Sequence, residues 1–345
     1  MDSTPSKSIR VPDLFSSILS TTAVLNPHYL TVKEEGDRWI GDLMGWDEKT
    51  RKKNSSTDFA YMTAIWSPEA DAESLRMILD YNNWVFLFDD HFDEGDLKDD
   101  FPAAQAEIAA YVAIMDGTAP RYSADATEYL LKLRYVFQTC CDRLRLRAQP
   151  TLVKRFQEQQ QHYFTGVLNQ VEQQASGRAL TRDVDEYIKT RRGTIGVGPT
   201  VALCEWGDGI ELGSEPFEHP SLQQCLEIST DLTWLANDIV SFRKDLVLGV
   251  DHNLISLLME QGRSMQEAVD KAGHMIEDCY RRWYLALAEL PLWGEAVDHE
   301  VLRFVGACRN VALGSLHWSF RTGRYWGVEG DELRKTRIMR LPPQV

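Results

Sequence analysis

Hydrophobic residues recur at intervals of three and four along nearly the whole chain, which is the spacing of α-helices that bury one face. Ser67-Pro68-Glu69 predicts a helix start, as an N-cap residue followed by a first-turn proline and a first-turn acid. The residues that follow it at helical steps are Leu75, Ile78, Leu79, Asn82, Val85 and Phe86. Further helical segments are predicted around 103–115, 126–146, 151–175, 182–192, 221–246, 264–289 and 298–321. Strand-like alternation bounded by turn residues is absent, so the pattern predicts an all-α fold.

The same pattern continues without a break that would divide the chain into domains. A length of 345 residues favours about two domains as a starting expectation. No linker rich in Pro, Ser or Gly, no low-complexity tract and no repeat separates them, and 43% hydrophobic residues supply ample material for one core. We therefore predict a single domain over residues 1–345, with the first ten or so residues flexible.

Charge and cysteine content exclude several classes of protein. A net charge of −15 argues against a nucleic-acid partner, because phosphate binding draws on an excess of Lys and Arg. The N-terminus lacks the apolar core of about 7–15 residues that a signal peptide needs, and no segment reaches the ~20 apolar residues of a membrane span. Six cysteines without zinc-binding spacing indicate buried, reduced thiols. These features predict a cytosolic protein.

An apolar run at residues 84–88 ends in a cluster of four carboxylates, Asp89, Asp90, Asp93 and Glu94. At about 100° per residue, Asp89 and Asp93 lie about 40° apart on one helix face and could share a cation. Ligands that are all charged oxygens favour a hard cation such as Mg2+. A calcium EF-hand is excluded, because its register would put Phe92 at a ligand position. A solvated acidic loop remains the alternative for this motif alone.

A second group of oxygen donors lies far downstream. Asn237, Ser241 and Asp245 are spaced by four residues, so an amide oxygen, a hydroxyl and a carboxylate cover about 80° of one helix face. Lys244 projects near that face and could contact an anion there. Polar residues on an ordinary solvent-facing stripe are the alternative for this motif alone. Two such groups in one chain favour a shared metal-dependent function.

Together these motifs resemble those of class I terpene cyclases, in particular fungal sesquiterpene synthases. Residues 89–94 are similar to the aspartate-rich motif of that family, and residues 237–245 are similar to its second metal motif. Arg191 lies 46 residues before Asn237, where the family carries its pyrophosphate-sensing arginine. Arg324-Tyr325 resembles the Arg-Tyr pair that closes over the diphosphate. The four signals span most of the chain.

Two departures from the family pattern leave questions open. Asp245 occupies a position where most relatives have Glu, so its carboxylate reaches one methylene less far. Arg192 adjoins Arg191, and only the spacing favours Arg191 as the residue that senses the diphosphate. Whether Asp90 or Asp93 contacts metal directly also stays open.

The resemblance implies a single-domain class I terpenoid synthase fold, a helical bundle around a central active-site cavity. It implies Mg2+-dependent ionisation of farnesyl diphosphate, release of diphosphate, and cyclisation or quenching of the carbocation to a sesquiterpene. Three Mg2+ ions are expected, and the implied metal ligands are Asp89, Asp93, Asn237, Ser241 and Asp245. The expected partner is this small-molecule diphosphate, and the expected oligomeric state is a monomer or a homodimer.

Further roles follow from the same resemblance. The implied catalytic residues are Asp89, Arg191, Lys244, Arg324 and Tyr325, of which the last four grip the diphosphate. Aromatic residues that match the family's cavity wall, where their faces can stabilise a cation, are Trp66, Phe86 and Trp318. Core packing is the alternative for each of the three. Glycines and a proline after Arg192 interrupt the helical pattern. The resemblance implies that Thr194 and Ile195, at this break, pass diphosphate binding on to ionisation. An ordinary glycine-rich loop between two helices is the alternative for this segment.

Other functions fit the sequence less well. A chain-elongating prenyl transferase normally carries a second aspartate-rich motif, whereas Asn237 and Ser241 occupy that place here. A di-iron bundle requires Glu-x-x-His pairs, and no histidine of this chain has an acid three residues before it. A noncatalytic helical scaffold leaves one set of residues unexplained, namely Asn237, Ser241, Asp245, Arg191 and Arg324. Geranyl diphosphate remains an alternative substrate that would give monoterpenes.

Overall fold

A computed structural model describes residues 8–176, 183–250 and 252–341. The predicted all-α fold is confirmed. Helices α1 to α15 span, in chain order, Tyr29–Met44, Glu48–Thr57, Phe59–Trp66, Ala72–Asp93, Phe101–Met115, Tyr129–Arg147, Pro150–Ala175, Val184–Thr194, Val197–Gly207, Ser214–Glu218, Pro220–Leu248, Leu254–Glu260, Met265–Ala288, Glu295–Arg321 and Gly330–Thr336. Short 3-10 helices occur at Ser17–Ser20 and Gly327–Glu329. Within the described residues, no helix combines the length and the apolar character needed to cross a membrane.

The start of α4 differs from the sequence-based expectation. Ser67 caps the C-terminus of α3, where its backbone N–H donates to Thr63 O at 3.1 Å. Helix α4 begins at Ala72, and the Asp71 carboxylate caps it by accepting from the Ser74 N–H at 2.7 Å. The prediction that Ser67 caps this helix is therefore wrong. Through this contact Asp71 pairs a first-turn N–H group that has no partner within the helix, which is the usual role of an N-cap residue.

The two ends of the described chain pair as a short antiparallel ladder that the sequence pattern does not predict. Strands β1, Ser8–Arg10, and β2, Ile338–Arg340, place Ile9 opposite Met339, and both side chains are buried. Of the first ten residues, which the sequence predicts to be flexible, Ser8–Arg10 form β1, and residues 1–7 lie outside the described residues. Three-residue strands are too short to give a recognisable alternation.

Helix α4 runs through an aromatic core and delivers its acidic end to the cavity described below. Trp84 is fully buried, with its ring centroid 4.4 Å from that of Phe137 and 5.3 Å from that of Tyr111. Helices α1, α6 and α9 pack against α4, while α11 packs against α13 and α14. This packing fixes the direction in which the end of α4 points.

A break separates α8 from α9. Helix α8 ends at Thr194 and α9 begins at Val197, with Gly196 between them in the left-handed region at φ 70°. Glycine adopts this conformation without the steric cost that a Cβ atom would add. Close packing explains why α7 has a glycine at position 166. A Cβ atom on Gly166 would lie 2.3 Å from the carbonyl oxygen of Gly193. The break therefore lies directly against α7.

Candidate active site

One cavity of about 290 Å3 lies among α4, α8, α9, α11 and α14. Every residue predicted from the sequence to belong to the site lines it. These residues are Trp66, Phe86, Asp89, Asp93, Arg191, Ile195, Asn237, Ser241, Lys244, Asp245, Trp318, Arg324 and Tyr325. They come from separate stretches of the chain, so the fold brings the two oxygen-donor groups to a single cavity.

Side chains of α7 hold the two aspartates of the first motif. The Tyr163 hydroxyl donates to Asp89, and the Gln170 amide donates to Asp93 at 2.7 Å. Tyr163 and Gln170 are seven residues apart, close to two turns, so they share one face of α7. Neither residue is predicted from the sequence to belong to the site. Their spacing shows that they share a helix face, but only the packing of α7 on α4 reveals that this face contacts Asp89 and Asp93.

The carboxylates of the first motif are crowded with negative charge. Burial raises the pKa of Asp89 well above its usual range, and the neighbouring Asp93 charge adds to the shift. Enclosure by protein also raises the pKa of Asp93, although solvent reaches this side chain through the cavity opening. A cation between the two carboxylates would relieve this repulsion, so the local electrostatics favour metal binding.

The second motif is held by a residue that the sequence analysis did not identify. Ser241 Oγ donates to Asp245 Oδ2 at 2.5 Å on α11. Asn253, which is completely buried, donates its amide to the same Asp245 oxygen at 3.0 Å and to Asp238 O at 2.8 Å. Asn253, which lies in the loop after α11, thereby holds the carboxylate of the short Asp245 side chain in place. No local sequence signal identifies this contact, because Asn253 also serves as an ordinary N-cap of α12.

The adjacent arginines of α8 point in different directions. Arg191 Nη2 donates to Asn237 Oδ1 at 3.1 Å and to Asp238 Oδ1 at 3.0 Å. Arg192 makes a bidentate pair with Asp231, with both distances 2.7 Å, and does not line the cavity. Neighbouring residues of a helix are rotated by about 100°, so only one of the two can face the cavity. The structure places Arg191 there.

The segment after α14 joins the two motifs across the cavity mouth. Arg324 Nη2 lies 3.4 Å from Asp90 Oδ1 of the first motif. The Tyr325 hydroxyl accepts from Asn237 Nδ2 of the second motif at 3.1 Å. Lys244 Nζ lies 6.0 Å from the centroid of the Tyr325 ring. Positive side chains therefore gather between the two groups of oxygen donors.

Aromatic rings form the adjacent part of the wall. The ring centroids of Phe86 and Trp318 lie 5.5 Å apart, and Phe59 packs on both at 4.3 and 5.7 Å. Trp318 is 5.7 Å from Tyr325, and the Arg324 guanidinium lies 5.5 Å from the Phe86 ring centroid. Phe59 was not predicted. The aromatic wall and the cationic end of the cavity are thus one packed unit.

A histidine that the sequence analysis did not single out also lines the cavity. Both ring nitrogens of His252 are buried without a hydrogen-bond partner. Burial, together with the nearby Arg191 charge, lowers the pKa of His252 to about 3. The imidazole is therefore neutral near pH 7 and adds no charge to this end of the cavity.

The donor set fits Mg2+ and a diphosphate. Among the described residues, no three side chains of His, Cys, Asp or Glu converge on one point. The donors instead comprise an aspartate pair on one side and an amide, a hydroxyl and a carboxylate on the other. Mg2+ suits such sites, because it keeps several waters and takes further oxygens from a phosphate. The buried Nε atoms of Arg191 and Arg324 have no partner and are available to an anion.

Comparison with known proteins gives a consistent result. Residues 80–282 match the family described as terpene synthase family 2, C-terminal metal binding. The chain is 43% identical over 334 residues to a (+)-eremophilene synthase of Gibberella fujikuroi (strain CBS 195.34 / IMI 58289 / NRRL A-6831), covering 96% of this chain and 92% of that protein. It is 43% identical over 346 residues to a (1R,4R,5S)-(-)-guaia-6,10(14)-diene synthase of Fusarium proliferatum (strain ET1), covering 97% and 86%. The crystal structure of an α-eudesmol synthase shares the fold, with a TM-score of 0.76 at 23% identity over 88% of this chain and 98% of that one.

The helical fold and the cavity define a class I terpene synthase. The chain belongs to the metal-binding terpene synthase family and is a terpene synthase, a lyase. The resemblance seen in the sequence motifs is therefore confirmed, and so is the predicted fold class.

Proposed function

We propose that this enzyme ionises farnesyl diphosphate with the help of three Mg2+ ions and cyclises or quenches the resulting carbocation to a sesquiterpene. The observation that carries this proposal is the convergence of two oxygen-donor groups and several cationic side chains at one end of an aromatic-walled cavity. A cytosolic location, a single domain and a monomeric or homodimeric state stay predictions from the sequence.

Metal ligation is assigned to both sides of the cavity. Asp89, with Asp93 beside it, would hold Mg2+ on α4, and the donors on α11 would be Asn237, Ser241 and Asp245. Bound Mg2+ supplies positive charge that neutralises the departing diphosphate. The hydrogen bonds from Tyr163 and Gln170 support the assignment on α4, since they hold each carboxylate in a fixed orientation.

The diphosphate is assigned to the residues between the two metal-binding sides, Arg191, Lys244, Arg324 and Tyr325. Arg191 already contacts Asn237, and the Tyr325 hydroxyl contacts the same amide. A charge that develops on the leaving group is therefore met by donors that are held in place before the reaction. Arg324 and Tyr325 lie at the mouth, where they can exclude water once the substrate is bound.

The hydrocarbon chain is assigned to the wall formed by Trp66, Phe86, Trp318 and Ile195. Aromatic faces stabilise a passing cation through their quadrupoles. The cavity volume of about 290 Å3 is near the lower end, ~300 Å3, of small-molecule pockets.

Incubation of the purified chain with C10, C15 and C20 prenyl diphosphates plus Mg2+ tests the proposal. Diphosphate release and volatile products would be followed together, the latter by gas chromatography–mass spectrometry. We expect the highest kcat/KM with farnesyl diphosphate and a lower value with geranyl diphosphate. Longer prenyl diphosphates formed after addition of isopentenyl diphosphate would instead identify a chain-elongating prenyl transferase, and no turnover of any substrate would refute both functions.

A further inference from the structure

Helix α14 contains two glycines in its interior, Gly306 and Gly314. Glycine in a helix interior is unfavourable relative to alanine, because it loses more backbone freedom on folding. A Cβ atom at position 306 would meet nothing within 4 Å. A Cβ atom at position 314 would lie 2.6 Å from Cδ1 of Trp66 and 3.0 Å from the carbonyl oxygen of Met62. At Gly314, α14 therefore has no room for a methyl group.

Trp66 occupies the space that the missing side chain of Gly314 leaves on α14. Its Nε1 donates to Val311 O at 3.0 Å and to Ser315 Oγ at 3.3 Å. The same Nε1 would lie 3.0 Å from a Cβ atom at position 314. The edge of the indole ring that carries Cδ1 and Nε1 is therefore held against the backbone of α14 by close contact and by hydrogen bonds.

This contact belongs to the cavity wall. Met62 and Trp66 line the cavity from α3, and Val311 and Ser315 line it from α14. Trp66 is 5% exposed, so the surrounding protein leaves its ring little other space. A methyl group at position 314 would therefore push the ring toward the cavity or force α3 and α14 apart. Either change moves the wall.

Trp66 meets α14 in the part of the cavity that lies away from the mouth. Helix α14 ends at Arg321, and the ring centroid of Trp318 lies 5.7 Å from that of Tyr325 at the mouth. Val311 precedes Trp318 by seven residues, which is about 10 Å along the helix axis. A prenyl chain whose diphosphate lies at the mouth extends toward this depth. The position of the Trp66 ring therefore limits the length available to the chain.

We infer that Gly314 sets the position of the Trp66 ring, and that this pair determines which length of prenyl chain the enzyme accepts. Gly314 is a positioning residue, because it contacts Trp66 and does not line the cavity. A larger residue at position 314 shortens the hydrocarbon half of the cavity, and a smaller residue at position 66 lengthens it. This inference rests on the proposed function, since it concerns the prenyl diphosphate that the same cavity binds.

The two glycines of α14 make a matched experiment. Gly314→Ala adds a methyl group against Trp66, and Gly306→Ala adds the same group in open space and outside the cavity. Trp66→Leu removes the ring from the other side of the contact, and a double variant combines Trp66→Leu with Gly314→Ala. We would measure kcat/KM for C10, C15 and C20 prenyl diphosphates at saturating Mg2+, and the helical circular-dichroism spectrum of each protein.

Gly314→Ala should lower kcat/KM for farnesyl diphosphate relative to that for geranyl diphosphate by about tenfold or more, the effect of a methylene-sized change in a hydrophobic pocket. Gly306→Ala should leave this ratio unchanged. Trp66→Leu should raise kcat/KM for the C20 substrate relative to the C15 substrate by about tenfold or more. In the Trp66→Leu background, Gly314→Ala should change both ratios little, because the ring that it displaces is absent.

Unchanged ratios in Gly314→Ala or in Trp66→Leu, an equal change in Gly306→Ala, or an undiminished effect of Gly314→Ala in the double variant would overturn the inference. If Gly314→Ala alone does not fold, the double variant decides. A folded double variant with the ratios of Trp66→Leu would support the pairing, and failure of the double variant to fold would overturn it. Absence of turnover of every prenyl diphosphate by the wild type would instead refute the proposed function.

Discussion

The Nη2 atom of Arg191 donates to Asn237 Oδ1 at 3.1 Å, so the arginine of α8 directly contacts the first oxygen donor of α11. The same nitrogen contacts Asp238, whose carboxylate also accepts from the Tyr187 hydroxyl at 2.7 Å. Burial raises the pKa of Asp238, and the Arg191 charge opposes that shift. Arg191 is therefore held by its neighbours in the position that we assign to diphosphate recognition.

The pair of adjacent arginines provides a matched test. Arg191→Ala should slow diphosphate release by about 30- to 1000-fold, because loss of a charged partner in a poorly hydrated site costs roughly 2–4 kcal/mol. Arg192→Ala should release diphosphate at nearly the wild-type rate, since Arg192 lies outside the cavity and Asp231 keeps Arg282 at 2.6 Å. Single-turnover measurement of diphosphate release compares the two. Equal losses in both variants would contradict the assignment of Arg191.

The proposed metal ligands can be tested by substitution, with a nearby acidic residue outside the cavity as the control. Asp89→Ala and Asn237→Ala should each lower turnover by at least about 100-fold, since each removes a proposed metal ligand from a different helix. Asp96→Asn serves as the control, because Asp96 belongs to the same acidic run but is exposed and does not line the cavity. Steady-state turnover and the helical circular-dichroism spectrum would be recorded for each. Near-wild-type turnover of Asp89→Ala or Asn237→Ala would show that the altered residue does not bind metal.

The aromatic wall should act after ionisation. Phe86→Leu and Trp318→Leu should still release diphosphate while the products shift toward acyclic or prematurely quenched terpenes, because fewer aromatic faces remain to stabilise the cation. Tyr284→Leu is a suitable control, since Tyr284 is an aromatic residue that is 56% exposed and lies outside the cavity. Diphosphate release and product ratios would be measured in the same reactions. An unchanged product spectrum in both wall variants would remove these rings from the mechanism.

A buried ion pair away from the site gives a prediction about stability and pH. Glu205 and Arg155 are both buried, with 3.0 Å between Oε1 and Nη1, yet the angles are not those of a hydrogen bond. Burial raises the pKa of Glu205 to about 8, and the Arg155 charge only partly opposes the shift. A carboxyl group whose pKa is higher in the folded than in the unfolded state stabilises the fold below its ordinary pKa, and this contribution is lost as the pH rises.

The free energy of unfolding of the wild type should therefore fall between about pH 4.5 and pH 8 relative to that of Glu205→Gln, which cannot ionise. Urea denaturation at a series of pH values measures this difference. Glu267→Gln is a useful comparison, because hydrogen bonds with Ser264 lower the pKa of Glu267, a capping-box residue at the surface. A difference between wild type and Glu205→Gln that stays constant over this range would contradict the raised pKa.

The sequence predicts the parts of the site that depend on geometry within one helix. Asp89 and Asp93 share a face of α4, and Asn237, Ser241 and Asp245 share a face of α11, because a four-residue step returns to nearly the same direction. Assembly of these faces into one cavity was implied only by the family resemblance. Periodicity alone could not show it, since it says nothing about which helices meet.

The residues that the sequence analysis missed act across helices. Tyr163, Gln170 and Asn253 reach the proposed metal ligands from α7 and from the loop after α11, and their sequence contexts are those of ordinary helical or capping residues. The error at Ser67 has a local cause. Ser67 and Asp71 are both good N-cap residues four positions apart, and packing of α3 decides between them.

Metal dependence of diphosphate release from farnesyl diphosphate is the most direct test of the proposed chemistry. The purified enzyme would be assayed after treatment with EDTA and again after addition of excess Mg2+, with release of diphosphate and formation of terpene measured together. Crowded carboxylates at Asp89 and Asp93 predict that both signals vanish in EDTA and return with Mg2+. Full diphosphate release and terpene formation in metal-free buffer would contradict the metal-dependent mechanism.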